Sequence, residues 1–141
     1  MHYTRGLLSK DYMGQSSWAI ASRAAHLRKV LAGFGFVINE ALLEVSPRCT
    51  IQALFGENKA RTYKRDADPW QTRAAIIEGM SELRFSQGSR LSREEVLRND
   101  NCFDALVCGF TGFLWARDQW ELPKDGPFDA DGWIWAPRLG D

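Results

Sequence analysis

Histidine is scarce and cysteine little better: the 141-residue chain has two histidines, His2 and His26, and three cysteines, Cys49, Cys102 and Cys108. No two cysteines form a C-x-x-C pair, so neither a disulfide framework nor a thiolate zinc site has the spacing it needs. Two isolated histidines do not build a His-based metal site, and acid–base or metal chemistry therefore falls to carboxylates. An excess of charge of one sign is also missing. Eighteen Lys+Arg balance eighteen Asp+Glu for a formal net charge of 0, which excludes attachment to nucleic acid by bulk positive charge but leaves room for a local basic groove. No apolar run approaches the roughly 20 residues that span a bilayer, and the opening Met1-His2-Tyr3-Thr4-Arg5-Gly6 has no apolar stretch of signal-peptide length. Hydrophobic residues make up 45% and charged residues 26%, which is globular rather than disordered or fibrous. The expectation is one soluble cytoplasmic domain over residues 1–141, away from membranes.

Residues 1–14 show no clear period and read as a poorly specified lead-in. From Gln15 to Leu31 the pattern is helical, with Trp18, Ala21, Ala25, Leu27 and Leu31 near one stripe and Gly33 and Gly35 as the stop. Phe36-Val37-Ile38 and Leu42-Leu43-Glu44-Val45 read as a β-rich stretch broken at Asn39-Glu40, the second half apolar enough for a strand covered on both faces. Ser46 and Pro47 suit the N-cap and first position of a short helix ending at Gly56. Residues 57–68 are polar and read as a loop. Asp68-Pro69 opens a helix carrying Trp70, Ala74, Ile77, Met80 and Leu83 at three- and four-residue steps. After a Gly/Ser/Arg loop, Ser92 and Glu95 match a capping box. The longest apolar helix runs from about Asn101 to Trp115 and is apolar almost all round, which predicts burial between layers. Residues 121–131 read as a surface loop, and Trp133-Ile134-Trp135 as a last strand-like segment. Helices thus outnumber the few short strands, and those strands need neighbours for their backbone groups.

Three carboxylates stand in unusual places. Glu44 lies between Leu43 and Val45, and Asp104 is set inside an apolar helix. Asp100 is four residues earlier, on the same helix face. A strand-end Glu facing such a pair offers the hard oxygen ligands that Mg²⁺ or Mn²⁺ prefers, the usual machinery of phosphodiester hydrolysis. Bland readings stand beside this one. Asp100 suits a helix start by the dipole alone, Glu44 suits an arginine partner, and Asp104 suits a tie to a neighbouring loop. Arg61, Lys64 and Arg65 form a basic loop that suits phosphate contact or plain solvation. Trp133 and Trp135 alternate with Ile134, an arrangement that favours packing over base stacking. Cys49 and Cys108 read as small hydrophobes.

Several segments resemble a ribonuclease H-like family of predicted nucleases, the domain of unknown function four-two-nine. Leu42-Leu43-Glu44-Val45-Ser46-Pro47 with Ile51-Gln52-Ala53-Leu54 is similar to its strand–Glu–x–x–Pro–helix segment, and Tyr63-Lys64 fits its next loop. Asn101-Cys102-Phe103-Asp104-Ala105-Leu106-Val107 resembles the family's D-x-x-D-A-L-V helix. Asp131-Gly132-Trp133-Ile134-Trp135-Ala136-Pro137 resembles its E-G-W-I-W-x-P ending. The resemblance is clear over about residues 36–137. It implies an α/β fold, a partial ribonuclease H-like one with few strands packed against several helices. It also implies Mg²⁺ or Mn²⁺ held by the fourth-strand Glu44 and the helix Asp104. The family's first helix Asp falls on Asn101, a neutral and weaker ligand, with Asp100 beside it as a substitute.

The first-strand Asp and the early strands of that fold have no counterpart here, so the chain is expected to begin partway through it. An incomplete sheet has open edges, and six tryptophans add apolar surface to be covered. The expectations are a homodimer or a partner subunit on that sheet, and nucleic acid as a further partner. Two functions follow: a metal-dependent phosphodiester hydrolase, or a catalytically dead oligomeric or nucleic-acid-binding module.

Overall fold

The computed structural model describes residues 15–86, 88, 91–124 and 133–138. The lead-in over 1–14, the Asp131-Gly132 start of the closing motif and much of the loops at 86–92 and 121–131 lie outside them. The chain divides into two compact units, Met1–Glu44 and Val45–Asp141.

The first unit is built on α1, Gln15–Gly33. Phe34 N–H bonds to Leu31 O at 3.0 Å and Gly35 N–H to Ala32 O at 3.0 Å, closing the last turn. Gly35 then takes φ +86°, a left-handed conformation for which glycine is suited. The expected apolar stripe is not a buried one, since both Ala25 and Leu27 are exposed. The β-rich reading of residues 36–45 also needs correction. Val37 O accepts from the N–H groups of Ala41 and Leu42, at 3.0 and 3.1 Å, and Asn39 stands at φ +67°. The chain therefore folds back on itself at Asn39-Glu40, leaving a single bridge between Ile38 and Leu42. Asparagine tolerates this left-handed region, and one such residue suffices to turn an apolar stretch into a loop. Regular strand is confined to β1, Glu44–Val45, and Glu44 is exposed rather than covered on both faces.

The second unit follows the punctuation of its sequence. Helix α2, Pro47–Phe55, has Pro47 in its first turn, Ser46 as N-cap accepting from Cys49 N–H at 3.4 Å, and Gly56 at φ +89° as its stop. Helix α3, Glu57–Thr62, occupies what reads as a loop. Only Ala60 of this helix is buried, too little apolar content to give a period. Helix α4, Pro69–Gly79, starts on the Asp68 cap. It stops before Met80 and Leu83, so those two continue the core beyond the helix rather than along it. The buried face of α4 is Arg73, Ile76 and Ile77, and Trp70 stays outside with the Arg98 guanidinium 5.7 Å from its ring centre. A Cβ on Gly79 would come within 2.5 Å of the Phe55 ring, so this position needs the close approach that glycine permits.

Helix α5, Arg93–Arg98, has the complete Ser92–Glu95 capping box. Helix α6, Asp100–Asp118, is capped by Asn99, whose side chain accepts from the N–H groups of Asn101 and Cys102 at 2.9 and 3.2 Å. It is buried along one face, through Phe103, Val107, Thr111 and Leu114, while Phe113 is 47% exposed. Apolar residues on all sides of this helix thus did not require layers on all sides.

The core gathers Ile51, Tyr63, Ile76, Met80, Val96, Phe103 and Val107. Strand β2, Ile134–Trp135, pairs in parallel with β1, giving a helix-rich α/β architecture with a two-stranded sheet. Trp135 is buried with its ring edge-on to Trp115 at 6.0 Å, so this tryptophan serves packing. Among the described residues no helix is long and apolar enough to cross a membrane.

Candidate functional site

Asp104 occupies the second turn of α6, one position after the fully buried Phe103, so its carboxyl emerges at the rim of the core. Two residues from the turn after α3 meet it there. The Tyr63 hydroxyl donates to Asp104 Oδ1 at 3.1 Å, and the Lys64 ammonium donates to Oδ2. Both members of the ion pair are only partly exposed, Lys64 at 34% and Asp104 at 25% of the side chain. This is more sheltered than a free surface pair and less costly than a fully buried one.

Arg73 holds the turn from behind. The residue is 4% exposed, and its guanidinium lies 5.8 Å from the Phe103 ring centre. Nε donates to the Tyr63 carbonyl at 2.9 Å and Nη1 to the Leu97 carbonyl at 2.8 Å. The Tyr63 ring packs against Phe103 at 5.6 Å between centroids. Tyr63 is therefore fixed at both ends, backbone and ring, while Lys64 extends from it on a flexible stem.

The electrostatics follow from burial and from Asp104. Burial pushes the Tyr63 phenol above its ordinary range, and the Asp104 carboxylate adds to that, so Tyr63 remains a proton donor at neutral pH. Cys108, one turn after Asp104 on α6, is raised for the same two reasons in the same order, with Lys64 opposing. Such a thiol is a poor nucleophile, as the sequence suggests.

Of the other expected ligands, Asp100 is half-buried in the first turn of α6, where the helix dipole favours an acid, and shares a face with Asp104 by spacing. Asn101 is exposed. Glu44 is exposed at the end of the first unit. Among the described residues no three His, Cys, Asp or Glu side chains lie together as a metal-holding group. Asp104 is therefore a single carboxylate with one donor on each of its oxygens.

Lys64 is marked in the sequence as part of a basic loop and Tyr63 by the family resemblance; the reading of Asp104 as a tie to a neighbouring loop is met by its bonds to these two residues. Arg73 is missed altogether, since its two carbonyl partners lie ten and twenty-four positions away. Arg61, on α3, and Arg65, in the turn after it, are exposed, as solvated residues would be.

The family model described as "Protein of unknown function (DUF429)" matches residues 10–127. The match takes in α1, where the sequence resemblance is faint, and covers Glu44, the Tyr63-Lys64 turn and Asp104. No curated protein and no solved structure matches the chain.

Proposed function

We propose, for a chain that belongs to the DUF429 family of proteins of unknown function, a metal-dependent phosphodiester hydrolase of the ribonuclease H-like class. Asp104 is its central ligand. The observation that supports this reading most directly is that Asp104 already binds a cation, the Lys64 ammonium, on a carboxyl oriented by a buried phenol. Glu44 and Asp100 are the further carboxylates, with Asn101 as a neutral oxygen donor. A bound Mg²⁺ or Mn²⁺ would supply an activated water and charge stabilisation at the leaving oxygen. The chain's own residues have separate tasks. Asp104 and Glu44 would hold the cation, Tyr63 orients Asp104 by donating to Oδ1, and the Lys64 ammonium would pair with a phosphodiester oxygen.

The test is cleavage of end-labelled DNA and RNA oligonucleotides in Mn²⁺. Activity in the wild type that disappears in both Asp104→Asn and Glu44→Gln is the expected result. Cleavage that survives both substitutions, or no cleavage of any substrate by well-folded protein, sinks the reading.

A different observation favours a second reading, an oligomeric module without hydrolysis. Leu27, Val30, Phe34, Phe36 and Val37 all expose apolar side chains in the first unit, Phe34 to 77%. Apolar surface on this scale commonly marks an association face. A homodimer mass in solution that Phe34→Asp converts to monomer, without cleavage by either form, would favour this module.

A further inference from the structure

We infer that helix α1 of one copy docks in an apolar groove along α6 of a second copy, each chain giving its helix and receiving the other's. The inference rests on the reading of the first unit's exposed apolar side chains as an association face, and names the surface that receives them.

The groove belongs to the second unit and has a volume of about 470 Å³. Leu83, Leu106, Phe110 and Phe113 form its sides, with Ala105 and Gly109 between them on α6. Ala105 and Gly109 are both exposed, and a Cβ on Gly109 would meet nothing within 4 Å. Residues this small let a second helix come close, while the rings beside them supply apolar area. Leu27, Val30 and Phe34 of the first unit follow one another at steps of three and four residues, the spacing with which a helix anchors in an apolar groove. They are exposed to 56%, 42% and 77%. The lengths agree, since Leu27 to Phe34 rises about 10 Å along a helix and Ala105 to Phe113 about 12 Å.

Charge decides between pairing like with like and exchange. Helix α1 holds Arg23, Arg28 and Lys29 and no acid. In the first unit five Lys+Arg stand against three Asp+Glu, a balance of +2, and in the second thirteen stand against fifteen, a balance of −2. At the groove rim one guanidinium, Arg117, serves two carboxylates, Glu82 and Asp118. The Arg84 guanidinium there is turned onto the carbonyls of Ser81 and Leu83. Two first units face to face would repel, whereas a first unit on a second unit is attracted. The exchange closes on itself, because two helices fill two grooves about a two-fold axis.

The experiment is the light-scattering mass of the full-length chain for wild type, Phe34→Asp, Ala105→Arg and an equimolar mixture of the two variants. Circular dichroism would check that each is folded. Both positions are exposed, and Leu27→Asp and Phe113→Arg replace either variant that does not fold. Wild type is expected at twice the chain mass and each variant alone at the chain mass. The mixture is expected above either variant at the same total concentration, because Phe34→Asp keeps an intact groove and Ala105→Arg an intact α1. A dimer that Phe34→Asp dissolves and Ala105→Arg leaves whole overturns the groove as receptor, while the association face stands. A mixture no heavier than its components overturns the exchange in the same way. A monomeric wild type overturns both.

Discussion

Arg73 Nε donates to the carbonyl oxygen of Tyr63 across 2.9 Å, from a guanidinium almost wholly shut off from water. Its Nη1 reaches Leu97 O at 2.8 Å, so one side chain ties α4 to the turn that carries Tyr63 and Lys64 and to α5. Buried charge is tolerated here because two carbonyl dipoles and the face of Phe103 receive it.

Removing that side chain leaves one buried and one partly buried carbonyl short of a donor and opens space beside Phe103. Arg73→Ala is expected to lower unfolding free energy by about 2–4 kcal/mol in urea titration. Arg73→Lys is expected to recover only part of the loss, because one ammonium on a thinner stem does not span both carbonyls in the fixed geometry of a guanidinium. Equal stability for wild type and Arg73→Ala would show that Arg73 does not bind the three segments together.

The hydroxyls of Thr50 on α2 and Thr111 on α6 lie 2.8 Å apart, both fully buried. Thr111 also donates to Val107 O at 2.8 Å. A hydroxyl has one proton, so with that proton on Val107 O it is Thr50 that donates to Thr111 Oγ1. Thr111→Val then strands a buried donor and is expected to cost about 1–2 kcal/mol, whereas Thr50→Val strands none and costs less. In the double variant both polar groups are gone, and the loss is expected to fall below the sum of the singles by about 0.5–1.5 kcal/mol. Strict additivity in chemical denaturation would mean that the two hydroxyls do not cooperate.

Much of the second unit was legible because its helix ends are written in local chemistry. Ser46-Pro47, Asp68-Pro69 and the Ser92–Glu95 pair each place an oxygen acceptor where free N–H groups need one, and each starts a helix. Helix α3 escaped because a six-residue helix burying only Ala60 has no period to detect. Residues 36–45 misled for the opposite reason. Apolar and β-branched side chains dominate the pattern there, whereas the backbone is decided by one asparagine at φ +67°. At the site, Asp104 was visible as an acid inside an apolar helix suited to tie a neighbouring loop, but the residues it ties were not. Lys64 lies forty positions away, and contacts at such separation leave no trace in local spacing. Arg73 carries no mark in the sequence, since local spacing does not show that its guanidinium meets the carbonyls of Tyr63 and Leu97.

Cys108 reports on the charge state around Asp104 without contributing to it. Burial raises its thiol most, the Asp104 carboxylate raises it further, and the Lys64 ammonium lowers it. The signs follow from the thiolate being an anion, which a neighbouring carboxylate disfavours and a neighbouring ammonium favours. With Cys49 and Cys102 replaced by serine, the pH profile of Cys108 alkylation by iodoacetamide becomes the measurement, since only the thiolate reacts. Asp104→Asn is expected to move the profile to lower pH and speed alkylation at pH 8. Lys64→Met is expected to move it to higher pH and slow the reaction. Adding Mg²⁺ to Lys64→Met should reverse that change, because a divalent ion on Asp104 restores positive charge where the ammonium had been. An unchanged profile with Mg²⁺, in a variant whose profile does respond to Asp104→Asn, would mean that no cation reaches the carboxylate at the concentration used. The thiol thus separates a carboxylate that only anchors a loop from one that exchanges its cation.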